Sequence, residues 1–194
     1  MPDIFYPKTE QDVSDFIFDN YNKSNPIEIV GHGSKKIGRL IQSSQTLSLS
    51  SMSGILEYFP EELYIKVLPG TPLSEIETTL KQKNQFFGFE PNDLGYLYDG
   101  KSNSGSIGGV VSCNLSGPGR FKNGALRDHV LGFKSVNGSG GKVKSGGTVV
   151  KNVTGYDLSK IISGAYGTLC AITEINLKVS PLPEFEETFL VNDI

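Results

Sequence analysis

The sequence has only two cysteines and two histidines in 194 residues, and that shortage closes off two kinds of chemistry. A disulfide framework needs cysteines in number, and a zinc site draws its ligands mostly from Cys and His. Cys113 and Cys170, with so few histidines beside them, supply neither. Each cysteine reads as a small buried side chain. Basic excess is lacking too. A net charge of -3 and a pI near 5.4 speak against a nucleic-acid partner, whose phosphate backbone usually needs a basic face. No apolar run is long enough to span a bilayer, and the opening MPDIFYPKTEQDV lacks the basic-then-apolar order of a signal peptide. The expectation is a cytoplasmic protein with no membrane span of its own, peripheral to an inner membrane only through partners. The nucleotide fingerprints GxxxxGK[ST] and GxGxxG ahead of a helix pattern are missing as well.

What is present starts with size. A chain of 194 residues at 37% hydrophobic content can bury the core of one sizeable domain. Its glycine concentrates in residues 102–119, SNSGSIGGVVSCNLSGPG. Glycine at that density costs backbone entropy, and a folded domain carries it where main chain approaches something closely or takes φ > 0. Ser106 is placed to cap a short helix from Ile107, whose N–H groups and positive dipole end would face a phosphate, with Gly108 and Gly109 clearing the approach. A flexible surface loop fits the same composition equally well. A second candidate stands earlier, where the apolar run 26–30 feeds Gly31-His32-Gly33-Ser34-Lys35. Successive N–H groups, a hydroxyl and a lysine there suit phosphate oxygens, although a plain tight turn explains the same residues.

The remaining pattern places elements around these two stretches. Thr9 as N-cap with Asp12 three positions on, then Val13, Phe16, Ile17 and Tyr21 at helical spacing, predicts a packing helix ending near residues 22–25. Residues 47–50 alternate as a strand. Runs 54–59 and 63–68, split by Pro60-Glu61-Glu62, predict an antiparallel hairpin. Thr71 as N-cap and Pro72 at the first helical position open a helix with Leu73, Ile76 and Leu80 on one face. Phe86, Phe87 and Phe89 read as core. A second hairpin is expected from 129–137 and 142–144, a short helix from 152–163 closed by Gly164, and a final long strand from 170–179 ended by Pro181 and Pro183. Hairpins interleaved with helices imply α+β rather than a doubly wound parallel sheet.

Five stretches in order, GHGSK, VLPGTPLSEIETTL, GSIGGVVSCNLSGPG, LRDHVLGFKSVNG and KNVTGYDLSKIISGAYGTLCAITEI, resemble the FAD-binding domains of the vanillyl-alcohol-oxidase, or PCMH, type. Within that family the likeness is strongest to the FAD-binding subunits of bacterial glycolate oxidases, and it runs through Pro183. The resemblance implies two α+β subdomains with FAD between them, about 1–68 and 69–183, with residues 184–194 the start of a cap domain that is absent or truncated. It places a pyrophosphate loop on Gly31, His32, Gly33, Ser34 and Lys35. A second phosphate and flavin-facing segment falls on Ser106, Ile107, Gly108 and Gly109, followed by Asn114, Ser116 and Gly117. The late pattern falls on Gly164, Gly167, Thr168 and Leu169, and an adenosine-side strand on Ile172.

There are departures from the family pattern. Relatives have a third glycine where this chain has His32, and glycine where it has Cys170. His32 is about two positions from where some of these flavoproteins attach FAD covalently, so noncovalent binding is expected. His129 replaces an apolar residue and reads as packed rather than catalytic. No cluster provides a base for a 2-hydroxy acid, and Arg120 and Arg127 have no evident place at a substrate carboxylate. The resemblance thus implies an FAD-binding subunit of a glycolate-oxidase-like 2-hydroxy-acid dehydrogenase, inactive alone and partnered by a larger flavoprotein subunit and an iron–sulfur subunit. A stand-alone flavin oxidoreductase lacking its cap is a second reading. A binding module that has lost the cofactor is a third.

Overall fold

The computed structural model describes residues 3–35, 42–98, 100, 102, 105–147 and 156–190. Its first strand, β1 (Asp3–Phe5), is short and exposed, and too brief to show a period in the sequence. α1 (Glu10–Asn22) begins on a closed capping box. The Asp12 N–H donates to Thr9 Oγ1 at 3.1 Å and the Thr9 N–H donates back to the Asp12 carboxylate at 2.9 Å, so two N–H groups that no helical carbonyl can reach are satisfied together. Val13 and Ile17, one turn apart, form its buried face. β2 (Ile27–Val30) and β3 (Gln45–Ser48) join β1 in a three-stranded parallel sheet of order β1-β3-β2. β2 is therefore an edge. Val13, Ile17, Leu47, Leu49 and Met52 form a small core with Ile27 and Ile29 against it.

β4 (Ile55–Phe59) and β5 (Tyr64–Val67) pair antiparallel across the turn at Pro60–Glu62, as their pattern predicts. α2 (Leu73–Lys81) buries Leu73, Ile76 and Leu80. Its start differs from expectation: Pro72 occupies the cap position, and Thr71 does other work. Fully buried, the Thr71 hydroxyl accepts from the Gly54 N–H at 2.9 Å and lies 2.7 Å from the Leu68 carbonyl, to which it donates. A hydroxyl both donates and accepts, and here it bonds half-buried backbone groups at the mouth of the hairpin, which leaves none of it for the helix.

The chain continues through β6 (Gln85–Phe86), α3 (Gly95–Tyr98), α4 (Ile107–Cys113), α5 (Arg120–Asn123), α6 (Leu126–His129), β7 (Val130–Asn137), β8 (Lys142–Gly146), α7 (Leu158–Ile162), β9 (Cys170–Lys178) and β10 (Ser180–Pro181). A five-stranded antiparallel sheet has the order β4-β5-β9-β7-β8. The architecture is α+β. Leu68 does not divide the sheets: the β4–β5 hairpin belongs to the second one, because Ile65 and Val67 on β5 bury in the same core as Ile175 and Leu177 on β9. Phe87 and Phe89 stack within that core at 4.8 Å between centroids. His129 ends α6 rather than opening β7, edge-on to Phe89, with Nε2 2.9 Å from the Asn123 carbonyl. The helix expected from residue 152 is described only from Leu158, where Asp157 caps it by accepting from the Ser159 N–H at 3.1 Å; residues 152–155 lie outside the described part.

Candidate functional site

A cleft of about 700 Å³ opens where the parallel sheet, α4 and the start of β9 converge, within the size range of small-molecule sites. Its floor is the turn after β2. Gly33 there has φ +66°, a conformation glycine adopts without steric cost. No acceptor among the described residues takes the N–H of His32, Gly33 or Ser34. Beside them lie the buried Ser34 hydroxyl and the Lys35 ammonium, 3.3 Å apart. Burial lowers the Lys35 pKa, against the opposing pull of Cys113 and Asp93. Backbone donors, a hydroxyl and a half-buried cation on one short turn form a receptor for a multiply charged oxyanion.

α4 faces this turn and contributes differently from its sequence reading. Ser106 caps it, as expected, accepting from the Gly109 N–H at 3.4 Å. The helix's opening N–H groups, however, are already used. Ile107 donates to the Thr71 carbonyl at 3.0 Å and Gly108 to the Pro69 carbonyl at 2.8 Å, because the start of α4 is docked on the 69–71 turn. Gly108 is needed for that docking: a Cβ on it would sit 2.8 Å from Pro69. A Cβ on Gly109 would meet Ser106 Oγ at 3.6 Å and Lys35 Cδ at 3.7 Å, ordinary contacts. Of the pair, Gly109 is the glycine that keeps space open. The two glycine-rich stretches also interlock, since a Cβ on Gly31 would strike Ser106 Oγ and one on Gly105 would strike Ser34 Oγ.

Of the residues singled out in the sequence, Gly31, His32, Gly33, Ser34, Lys35, Ser106, Gly108, Gly109, Gly167, Thr168 and Ile172 line this one cleft. Six others stand elsewhere. Ile107 is fully buried in the larger core. Asn114 ends α4 in the left-handed region and its Oδ1 accepts from the Arg127 N–H at 3.0 Å. Ser116 Oγ accepts from the Leu126 N–H at 2.8 Å. Gly117 donates to the Phe89 and Glu90 carbonyls at 3.0 and 2.7 Å, and a Cβ on it would lie 2.8 Å from Glu90 Cβ. Gly164 donates to the Val111 carbonyl at 3.3 Å. Leu169 lines an adjoining groove of about 610 Å³ on the far side of β9. The Gly117-Pro118-Gly119 turn thus wraps Glu90, whose carboxylate accepts from the Gly119 N–H at 2.5 Å.

Sequence reasoning passed over Glu28, Val30, Pro69, Ser112, Cys113, Tyr166 and Cys170, which also line the cleft. Two had a signal: Ser112 and Cys113 fall three and four residues after Gly109 and so share its helix face. Both cysteines are half-buried in the cleft wall rather than buried in a core. Burial raises both thiol pKa values, partly offset at Cys113 by Lys35 and at Cys170 by a hydrogen bond with Ser135; neither is a ready thiolate. Arg120 and Arg127 do not line the cleft. Among the described residues no cluster of His, Cys, Asp and Glu could hold a metal ion, and no helix is long and apolar enough to cross a membrane.

Comparison with known proteins bears on what fills such a cleft. The family described as FAD binding domain matches residues 3–147. The chain is 39% identical over 179 residues to the glycolate oxidase subunit GlcE of Escherichia coli, covering 90% of this chain and 49% of that one. It is 30% identical to the glycolate oxidase subunit GlcD of Bacillus subtilis, covering 98% and 39%. A solved alkyldihydroxyacetonephosphate synthase superposes with a TM-score of 0.75 at 22% identity, covering 95% of this chain and 35% of that one. The chain spans about half or less of the length of these relatives.

Proposed function

The chain belongs to the FAD binding domain family, and on that premise we propose that it is the FAD-binding part of a 2-hydroxy-acid oxidoreductase of the glycolate oxidase kind, holding FAD without a covalent bond. One observation supports the reading: the N–H groups of His32, Gly33 and Ser34, which no acceptor among the described residues takes, the Ser34 hydroxyl and the Lys35 ammonium lie on one turn that lines a cleft of about 700 Å³. That donor set fits a diphosphate. Gly109 keeps the wall opposite it free of side chain.

When bound, FAD supplies the two-electron chemistry that oxidises a hydroxyl-bearing carbon. The residues of this chain bind and orient. Lys35 and the 32–34 turn fix the diphosphate, and Ile29, Val30 and Ile172 offer apolar walls to a ring. Oxidation also needs a base at the substrate's hydroxyl and a cation for its carboxylate. Arg120 and Arg127 are off the cleft and the two thiols there are held protonated by burial. Those groups are therefore assigned to a larger flavoprotein partner, with an iron–sulfur subunit receiving electrons; likeness to proteins named GlcE and GlcD, both subunits, supports such an assembly.

The test has two parts. Purified protein should carry flavin that acid precipitation releases entirely into the supernatant; flavin in the pellet overturns the noncovalent reading. With glycolate or D-lactate and an artificial acceptor, dye reduction by the FAD-loaded chain should be negligible until the partner subunits are added. Turnover by the chain alone near the ~10 per second of an ordinary enzyme would falsify the subunit reading.

A further inference from the structure

Among the described residues lining the cleft, Glu28 is the only carboxylate. It stands on the edge strand β2, three residues before Gly31. Ile27 and Ile29 pack against the core beneath α1, and Glu28 and Val30 alternate with them along the strand. Glu28 and Val30 line the cleft, and at this edge Ile29 reaches it as well. Glu28 is half-buried, and no donor or cation among the described residues bonds to it. On the cleft wall, with Val30 and Leu49 also lining it, the carboxylate is an acceptor open to an incoming donor.

The chemistry of that donor is constrained by position. At an extended rise of about 3.3 Å per residue, Glu28 lies roughly 10 Å of backbone from the phosphate turn, the reach of the sugar next to a diphosphate. A second anion there would be repelled. Vicinal hydroxyls suit it, since a carboxylate accepts from two neighbouring O–H groups at once, as acidic residues do for ribose in other nucleotide sites. Resting on the reading of the cleft as an FAD site, we propose that Glu28 is its sugar-hydroxyl acceptor, taking hydrogen bonds from adjacent hydroxyls of the dinucleotide. The ribose and the ribityl chain both present that chemistry.

Titration calorimetry of wild type, Glu28→Gln and Glu28→Ala with FAD, ADP, 2′-deoxy-ADP and FMN tests the assignment. Glu28→Ala should weaken FAD about tenfold, and Glu28→Gln, which keeps one acceptor oxygen, should lose less. The melting temperature of the FAD-free protein should not move, because the Glu28 carboxylate bonds to no group among the described residues. Weaker ADP binding, with the advantage of ADP over 2′-deoxy-ADP lost in the variants, supports a ribose contact. Weaker FMN binding with ADP unchanged supports a ribityl contact. Equal affinities in all three proteins for FAD, ADP and FMN overturn the inference and leave the FAD reading standing. Failure of wild type to bind FAD or ADP overturns that reading and the inference with it.

Discussion

Lys35 and His129 show how burial sets the pH behaviour of single groups. Burial lowers the Lys35 pKa from its usual 10.5, and a diphosphate beside it stabilises the charged form, so the complex holds its proton to higher pH than the empty cleft does. Affinity is then flat near neutrality and falls as pH rises through the lowered pKa of the empty cleft. Fluorescence titrations from neutral pH to about pH 10 should show this alkaline weakening of FAD binding, and Lys35→Met should bind more weakly throughout with the alkaline limb gone. A pH profile identical in wild type and variant would remove Lys35 from the phosphate site. His129 works on the fold. Desolvation lowers its pKa below 6.5, partly opposed by its bond to the Asn123 carbonyl. The unfolded chain therefore binds the proton first: stability is whole above the unfolded pKa and declines as pH drops from there through the folded pKa. Urea unfolding between pH 7 and about pH 5 should lose less stability in His129→Phe than in wild type.

α4 shows how one short element divides fold from site. Gly108→Ala places a methyl against Pro69 at 2.8 Å, and should destabilise the FAD-free protein by about 1–3 kcal/mol. Gly109→Val faces only ordinary contacts at its Cβ and should unfold near the wild-type temperature while retaining little FAD. Equal loss of stability in both variants, measured by thermal melts with flavin absorbance alongside, would refute the division. The turn that receives α4 has its own test. Thr71→Val leaves the half-buried Gly54 N–H without its hydroxyl acceptor and removes the hydroxyl's bond to the Leu68 carbonyl, which keeps only the residue 71 N–H as donor, an expected loss of about 1–3 kcal/mol. Thr71→Ser keeps the hydroxyl and should recover most of it.

For the molecule as a whole, the cleft lies between elements remote in sequence, the turn after β2, α4 and the start of β9. A ligand bound there ties the small parallel sheet to the large antiparallel one. FAD at a hundredfold excess over its dissociation constant stabilises the folded state by about 2.7 kcal/mol, which for a chain this size raises the melting temperature by roughly 5–10 °C. A melt that FAD leaves unmoved at that excess would mean that FAD does not bind the folded chain in preference to the unfolded one.

The sequence by itself determined the elements and the two stretches that meet at the site. Thr9 and Asp12 announce α1, Pro60–Glu62 the β4–β5 turn, and the 31–35 and 106–109 runs the glycine-rich walls, because capping, turn formation and close backbone approach are local demands that single residues meet. Tertiary structure decided which donors remain for a ligand. Ser106 caps α4 as its type suggests, yet the helix's first N–H groups go to Thr71 and Pro69, and Thr71 itself leaves its helix for the hairpin. It also decided that Asn114, Ser116 and Gly117 serve the turn around Glu90 and the start of α6, that two cysteines face the cleft, and that Glu28 is the one carboxylate among the described residues lining it. A residue's type states what bonds it can make, while the partner it meets depends on contacts across tens to more than a hundred residues of chain, and those exist only once the sheets have packed.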